Sequence, residues 1–182
     1  LQARSRYENA VQSMSDQFSE LTTNLDNYLK NTTDHLNALQ IAAQMSLCGC
    51  VDAPSSMGLI SMIRDEPGRD YFSLDHVLPP YNTSEVANLT GKGSFQDRSW
   101  DFYREVMTTL SLNPLFHITT SNLPQVAWVY YVSNQKFISI YPWMPSSKYY
   151  FKETTIEREY FQMALPENNP HRRRYWTGAY VD

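Results

Sequence analysis

Between Ser5 and Leu47 the chain contains neither glycine nor proline. Within that stretch apolar residues recur at Val11, Met14, Phe18, Leu21, Leu25 and Tyr28, in alternating steps of three and four. That spacing keeps them on one face of an α-helix. The seam then moves to Leu29, Leu36, Leu39 and Ala43. The stretch predicts one amphipathic helix of about forty residues, ~60 Å long at 1.5 Å per residue. Ordinary globular helices run roughly 8–20 residues. Packing against its own domain accounts for residues 29–47. The earlier part, 5–28, is better explained by a stalk or a coiled-coil-like partner. Residues 1–50 are therefore expected to form a stalk or dimerisation helix, and 51–182 a separate module.

Composition limits what that module can do. The chain has 182 residues, 42% of them hydrophobic, enough for one substantial core. Charged residues make up 19% and the net charge is −4, which gives no reason to expect a nucleic-acid partner. The basic cluster His171–Arg174 is short and reads as a solvated loop. No stretch approaches the roughly 18 apolar residues of a membrane span. The opening LQARSRYENA lacks the apolar core of a signal peptide. The expectation is a soluble piece of something larger. Cys48 and Cys50 are too few for a closed zinc site, and the four histidines are scattered. Bridging across one residue would be strained, so buried free thiols are expected. No cofactor or metal is expected.

Residues 48–97 read as irregular and turn-rich, with MGLISMI (57–63) forming a one-turn helix or brief strand. Asn31, Asn82 and Asn88 open Asn-x-Ser/Thr triplets, which chance can supply in a chain this rich in Asn, Ser and Thr. Asp97 is the expected N-cap of a helix with Tyr103, Val106, Met107 and Leu110 on one face, ended by Asn113-Pro114. A β-hairpin follows. Val126, Trp128, Tyr130 and Val132 share one face of its first strand, and Ala127, Val129 and Tyr131 the other. Ser133–Lys136 turns the chain, and Phe137–Trp143 returns. Trp128 is expected in the core. One hairpin face can cover the long helix, and the other must cover something else, either more protein or a pocket. Tyr175–Asp182 is expected as a third strand. A chain ending on such a strand reads as the front part of a longer domain.

Between the hairpin and that last segment lie the residue types that could bind a small guest. A guanidinium such as that of Arg158 grips a carboxylate through two parallel hydrogen bonds. An aspartate accepts hydrogen bonds from an ammonium, and aromatic faces exclude water and bind cations. The bland reading is a surface Arg–Asp pair over a packed aromatic core.

The order of these features resembles the Cache (PAS-like) sensor domains of bacterial transmembrane receptors, especially the double-Cache type. The resemblance is carried by the long first helix, the hairpin VAWVYYVSNQKFISIYPW, and Arg158-Glu159-Tyr160-Phe161-Gln162-Met163-Ala164. Tyr175–Asp182 completes it. The resemblance implies an α+β fold, with the long N-terminal helix packed on a PAS-like antiparallel sheet as the membrane-distal module. It implies that Arg158, Tyr160 and Phe161 hold a ligand carboxylate and Tyr180 and Asp182 its amine, with Tyr130 and Tyr141 lining the pocket. Three departures stand out. Tyr160 replaces the usual Trp, Phe161 replaces a Tyr, and Glu153 stands where a Tyr is expected.

The leading functional expectation is a ligand-sensing domain for a small polar molecule such as an amino acid or organic acid. It would be extracytoplasmic (periplasmic), membrane-tethered in the full-length protein, and homodimeric through the first helix. The output domain, a histidine kinase or diguanylate cyclase, would lie outside this chain. The alternative is an interaction or dimerisation module with no small ligand. An enzyme is not expected. The sequence has no phosphate loop, nucleophile elbow or His-Glu-x-x-His, and Glu153, Glu157 and Glu159 read as solvated.

Overall fold

The computed structural model describes residues 2–49 and 54–178. The chain divides into two compact units, Leu1–Ile41 and Ala42–Asp182. A single helix, α1 (Gln2–Leu47), runs through the first and into the second. Every residue from Arg4 to Asn27 is exposed. Threonine disfavours helices because its hydroxyl competes for the backbone. Here Thr22 and Thr23 donate to the carbonyls of Phe18 and Ser19, each at 2.9 Å, and the helix continues. No helix among the described residues is long and apolar enough to cross a membrane.

The second unit is α+β. Its elements in chain order are α2 (Pro54–Ile60), β1 (Arg64–Asp65), β2 (Tyr71–Ser73), β3 (Asn88–Lys92), α3 (Trp100–Ser111) and α4 (Asn113–Asn122). Then come β4 (Val129–Ser133), β5 (Phe137–Tyr141), α5 (Thr154–Glu157) and α6 (Glu159–Gln162). The strands form one antiparallel sheet in the order β1-β2-β3-β5-β4. The expected α+β class with a long N-terminal helix and an antiparallel sheet is therefore observed.

Register sorts the sheet into two unlike faces. Phe72 pairs with Gly91, Gly91 with Phe137, and Leu89 with Ser139. These residues, with Val129, Tyr131 and Tyr141, point toward α2, α3 and α4. The core lies there: Leu59, Ile63, Phe72, Leu89, Phe95, Phe102, Val106, Leu110 and Phe137 form one buried cluster. Phe102 meets Phe72 and Phe137 edge-on, at centroid distances of 6.0 and 5.7 Å. Gly91 is required where it stands, because a Cβ would run into the Phe72 ring and the Phe137 side chain. The opposite face carries Ser73, Asn88, Thr90, Ile138 and Ile140, all buried, with Tyr130 at its edge. The segment 142–161 covers this second face.

Several expectations change. The irregular region 48–97 contains three of the five described strands, including the central β3. Asn88 is fully buried in that strand, so its triplet is a structural element and not an exposed acceptor. The N-cap of α3 is Ser99, whose Oγ accepts from the Phe102 amide at 3.2 Å. Asp97 instead sits at φ +57°, in the turn before the cap. α3 ends at Ser111, as the Asn113-Pro114 stop implied, but a further helix, α4, begins at once. Pro114 occupies the first turn of α4, where a missing N–H costs nothing. Residues 175–178 are not a strand, and the rest of that expected strand lies outside the described residues. Cys48 is exposed and disulfide-bonded, not a buried thiol. The reading of Cys50 lies outside the described residues.

Candidate functional site

The structure sends Tyr130 and Tyr141 to opposite faces of the hairpin. Tyr141 pairs with Val129 and Tyr130 with Ile140, so the two tyrosines differ in parity and cannot floor one pocket. α3 and α4 lie over the Tyr141 face.

On the Tyr130 face, Trp128, Tyr130, Ile140, Tyr149 and Tyr160 line a small cleft of about 20 Å³. The rings of Tyr130 and Tyr160 meet at 5.6 Å and 62°. The Arg-containing element thus comes against the hairpin, with Tyr160 as one wall. Trp128 is 41% exposed because β4 starts one residue later, at Val129. It edges the cleft and is not part of the core. Phe161 is buried and packs α6 beneath the surface, so its ring is structural. Arg158 is exposed and joins α5 to α6. Its carbonyl accepts from the amides of Phe161 and Gln162, both at 3.0 Å. Its guanidinium makes no hydrogen bond or ion pair with the described residues. Tyr175 donates its hydroxyl to the Tyr160 carbonyl, which ties the following segment to the cleft wall. Burial, then the nearby Glu159 carboxylate, raises the Tyr175 phenol above its ordinary range. Tyr180 and Asp182 lie outside the described residues.

Glu153, one of the departures from the Cache pattern, sits in an ionic cluster at the sheet end. It is 3.1 Å from Lys136 Nζ and 3.3 Å from Lys92 Nζ. The hydrogen bonds from these two ammonium groups lower its carboxyl below the usual range.

A larger cavity, of about 430 Å³, opens on the helix side. Leu59 of α2, Leu110 of α3 and Val86 of the β2–β3 loop supply apolar wall. Pro114 and Ile118 of α4 add to it, and Tyr81, Glu85, Asn113 and His117 are its polar members. Asn113 and His117 are four residues apart and share one side of α4. Asn113 Oδ1 accepts from the Ala87 amide at 2.9 Å, which fixes the amide's orientation. Its Nδ2 is then a buried donor with no partner among the described residues. Leaving such a group unpaired costs about 1–3 kcal/mol. Tyr141 donates its hydroxyl to the Ser84 carbonyl at 2.7 Å. The 2.7 Å contact between that hydroxyl and His117 Nδ1 must then be donated by the imidazole. The neutral ring carries its lone pair on Nε2. Nothing in the residue order pointed to this cavity. Its polar members come from two segments that read as loop and helix terminus.

Among the described residues no group of three or more His, Cys, Asp or Glu side chains converges to hold a metal. No protein-family model matches the chain, and neither a curated protein nor a solved structure matches it.

Proposed function

We propose that this chain is a ligand-sensing input module of a membrane receptor, of the Cache (PAS-like) kind, acting outside the cytoplasm on a small polar molecule. The observation that carries the reading is the junction of Tyr130 with Tyr160. Two segments some thirty residues apart meet as the walls of one aromatic cleft, and the second carries, two residues before Tyr160, the exposed Arg158, whose guanidinium has no partner among the described residues. An aromatic wall and a guanidinium carried on the same short segment suit a carboxylate-bearing guest. The disulfide at Cys48 fits an oxidising compartment. The guest would act by population shift, favouring a state in which the cleft is wider, by as much as its affinity differs between the two states.

Self-association through α1 belongs to the same proposal. Val11, Met14, Phe18, Leu21 and Leu25 are 48–73% exposed. Between Ala10 and Asn24 the residues flanking this seam are Ala10, Ser15, Gln17, Thr22 and Asn24, all uncharged, so two copies would not repel. Burying these five partly exposed side chains on each of two helices is the favourable term set against the ~4–15 kcal/mol cost of association.

A second reading, an interaction module with no small ligand, is favoured by the size of the cleft. A cavity of about 20 Å³ holds roughly one water, and its own rings fill the rest. One experiment separates the two readings. A thermal-shift series with free amino acids, dicarboxylates and amines should find a stabilising compound. At a hundredfold excess over Kd it should add about 2.7 kcal/mol. Arg158→Ala should abolish that gain and leave the unliganded melting temperature unchanged. A variant stabilised as strongly as the parent would overturn the assignment. No stabilisation by any compound, with concentration-dependent dimers in sedimentation, would select the second reading.

A further inference from the structure

We infer that the helix-side cavity is a binding site in its own right, for a small, mostly apolar molecule bearing an uncharged amide or an equivalent pairing of an oxygen acceptor with an N–H donor. It lies on the opposite face of the sheet from the Tyr130 cleft and does not depend on how that cleft is read. At about 430 Å³ it falls within the range of roughly 300–1,000 Å³ typical of small-molecule sites. Its walls are Leu59, Val86, Leu110, Pro114 and Ile118, which favour an apolar body.

The polar groups sort by what they lack. Asn113 is 4% exposed, and its Nδ2 is a donor without an acceptor among the described residues. Its Oδ1 is already taken by the Ala87 amide, so rotation of the side-chain amide cannot relieve the deficit without breaking that bond. Nδ2 exposes less than 1 Å², so a guest that brings an oxygen reaches it by a local opening of the wall, and pairing the donor offsets that shift. One helical turn on, His117 is oriented through Nδ1 by the Tyr141 hydroxyl, which is itself anchored on Ser84. Its Nε2 is thus an acceptor. The Glu85 carboxylate, also in the lining, is a second acceptor and opposes an anionic guest. One donor and two acceptors around an apolar hollow match a carboxamide, whose C=O accepts and whose NH2 donates. A carboxylate of the same shape lacks the donor and meets Glu85 unfavourably.

The test uses naphthalene-2-carboxamide as the probe and naphthalene-2-carboxylate as its charged isostere. Each is titrated into the whole chain and followed by ¹H–¹⁵N NMR. The carboxamide should shift the Asn113 side-chain amide and the α4 backbone signals, and bind at least tenfold more tightly than the carboxylate. Ile118→Trp places a bulky ring at an already exposed position of the lining and should weaken the carboxamide at least tenfold with the fold intact. Asn113→Asp keeps the acceptor for Ala87 but not the amide donor, and should weaken it at least fivefold. Arg158→Ala should leave carboxamide binding unchanged, which separates this site from the Tyr130 cleft. Absence of carboxamide binding, equal binding of the carboxylate, or full binding by Ile118→Trp would each overturn the inference. If Asn113→Asp fails to fold, the Ile118→Trp and carboxylate arms still decide it.

Discussion

The two faces of the sheet are built from the same five strands, yet one is dominated by apolar rings, with Ser133 and Ser139 as its small buried hydroxyls, and the other is threaded with buried polar side chains that bind their cover. The difference lies in what covers them. On one face, α2, α3 and α4 satisfy their own backbones internally, so Phe72, Leu89 and Phe137 need offer nothing but surface. On the other the cover is largely irregular chain, whose backbone groups must find partners in the sheet beneath. Thr90 Oγ1 accepts from the Phe151 amide at 2.9 Å. Asp75 accepts from the Ser146 amide at 2.9 Å and its hydroxyl at 2.6 Å. Asn88 donates to Asp75 and to the Met144 carbonyl, both at 2.6 Å. A loop can cover a sheet face provided the strands below carry the right hydrogen-bonding side chains.

Substitutions on the two faces test that account. The largest loss is expected for Phe72→Ala, about 3–5 kcal/mol in denaturant unfolding, since its ring lies at the centre of the helix-side core. Next is Asn88→Ala, at about 2–4 kcal/mol, because it removes the donor to the part-buried Met144 carbonyl and opens a small void. An Asn88→Ala loss below 1 kcal/mol would show that the polar face does not depend on its network. Thr90→Val keeps the shape and removes only the acceptor for Phe151. It should cost about 1–2 kcal/mol, and Thr90→Ser should restore most of it.

Tyr131 sharpens the comparison from the helix side. It donates to Glu105 Oε1 at 2.8 Å. Burial first, and then the Glu105 charge and hydrogen bond, push its phenol well above the ordinary tyrosine range. Its contribution is fully present below the unfolded tyrosine value of about 10 and is lost as pH rises from there through the raised folded value. Tyr131→Phe should cost about 0.5–1.5 kcal/mol at neutral pH and flatten the alkaline fall in stability. A parallel alkaline limb in the variant would remove Tyr131 as its source. The smallest effect is expected for Glu153→Gln, at the exposed sheet end. The carboxyl of Glu153 is lowered by Lys136 and Lys92. Its contribution is present above the ordinary glutamate value and fades as pH falls through the lowered one. Solvent screens the cluster, so the melting temperature at neutral pH should not change measurably. A clear drop would mean that the Lys92–Glu153–Lys136 cluster holds the sheet end together.

The long helix, the hairpin β4–β5 and the class of the fold were legible in the chain because they rest on local periodicity: steps of three and four, or strict alternation. The central strand β3 was not. Asn88-Leu89-Thr90-Gly91-Lys92 looks like loop, since its Asn and Thr serve the covering segment and its Gly makes room for Phe72. The candidate site divides the same way. Arg158, Tyr160 and Tyr130 could be named from residue types and order. That Tyr141 faces the helices, that Phe161 is buried and that Trp128 stands half in solvent depended on strand parity and on where β4 begins. The helix-side cavity, with Asn113 Nδ2 left without an acceptor among the described residues and His117 oriented by Tyr141, exists only through contacts between residues far apart in the chain. The sequence by itself determined the long helix and the β4–β5 hairpin, because backbone preference and side-chain period are local properties. Tertiary structure alone decided which polar groups were buried together and which were left without a partner, because pairing and burial depend on what the fold brings near.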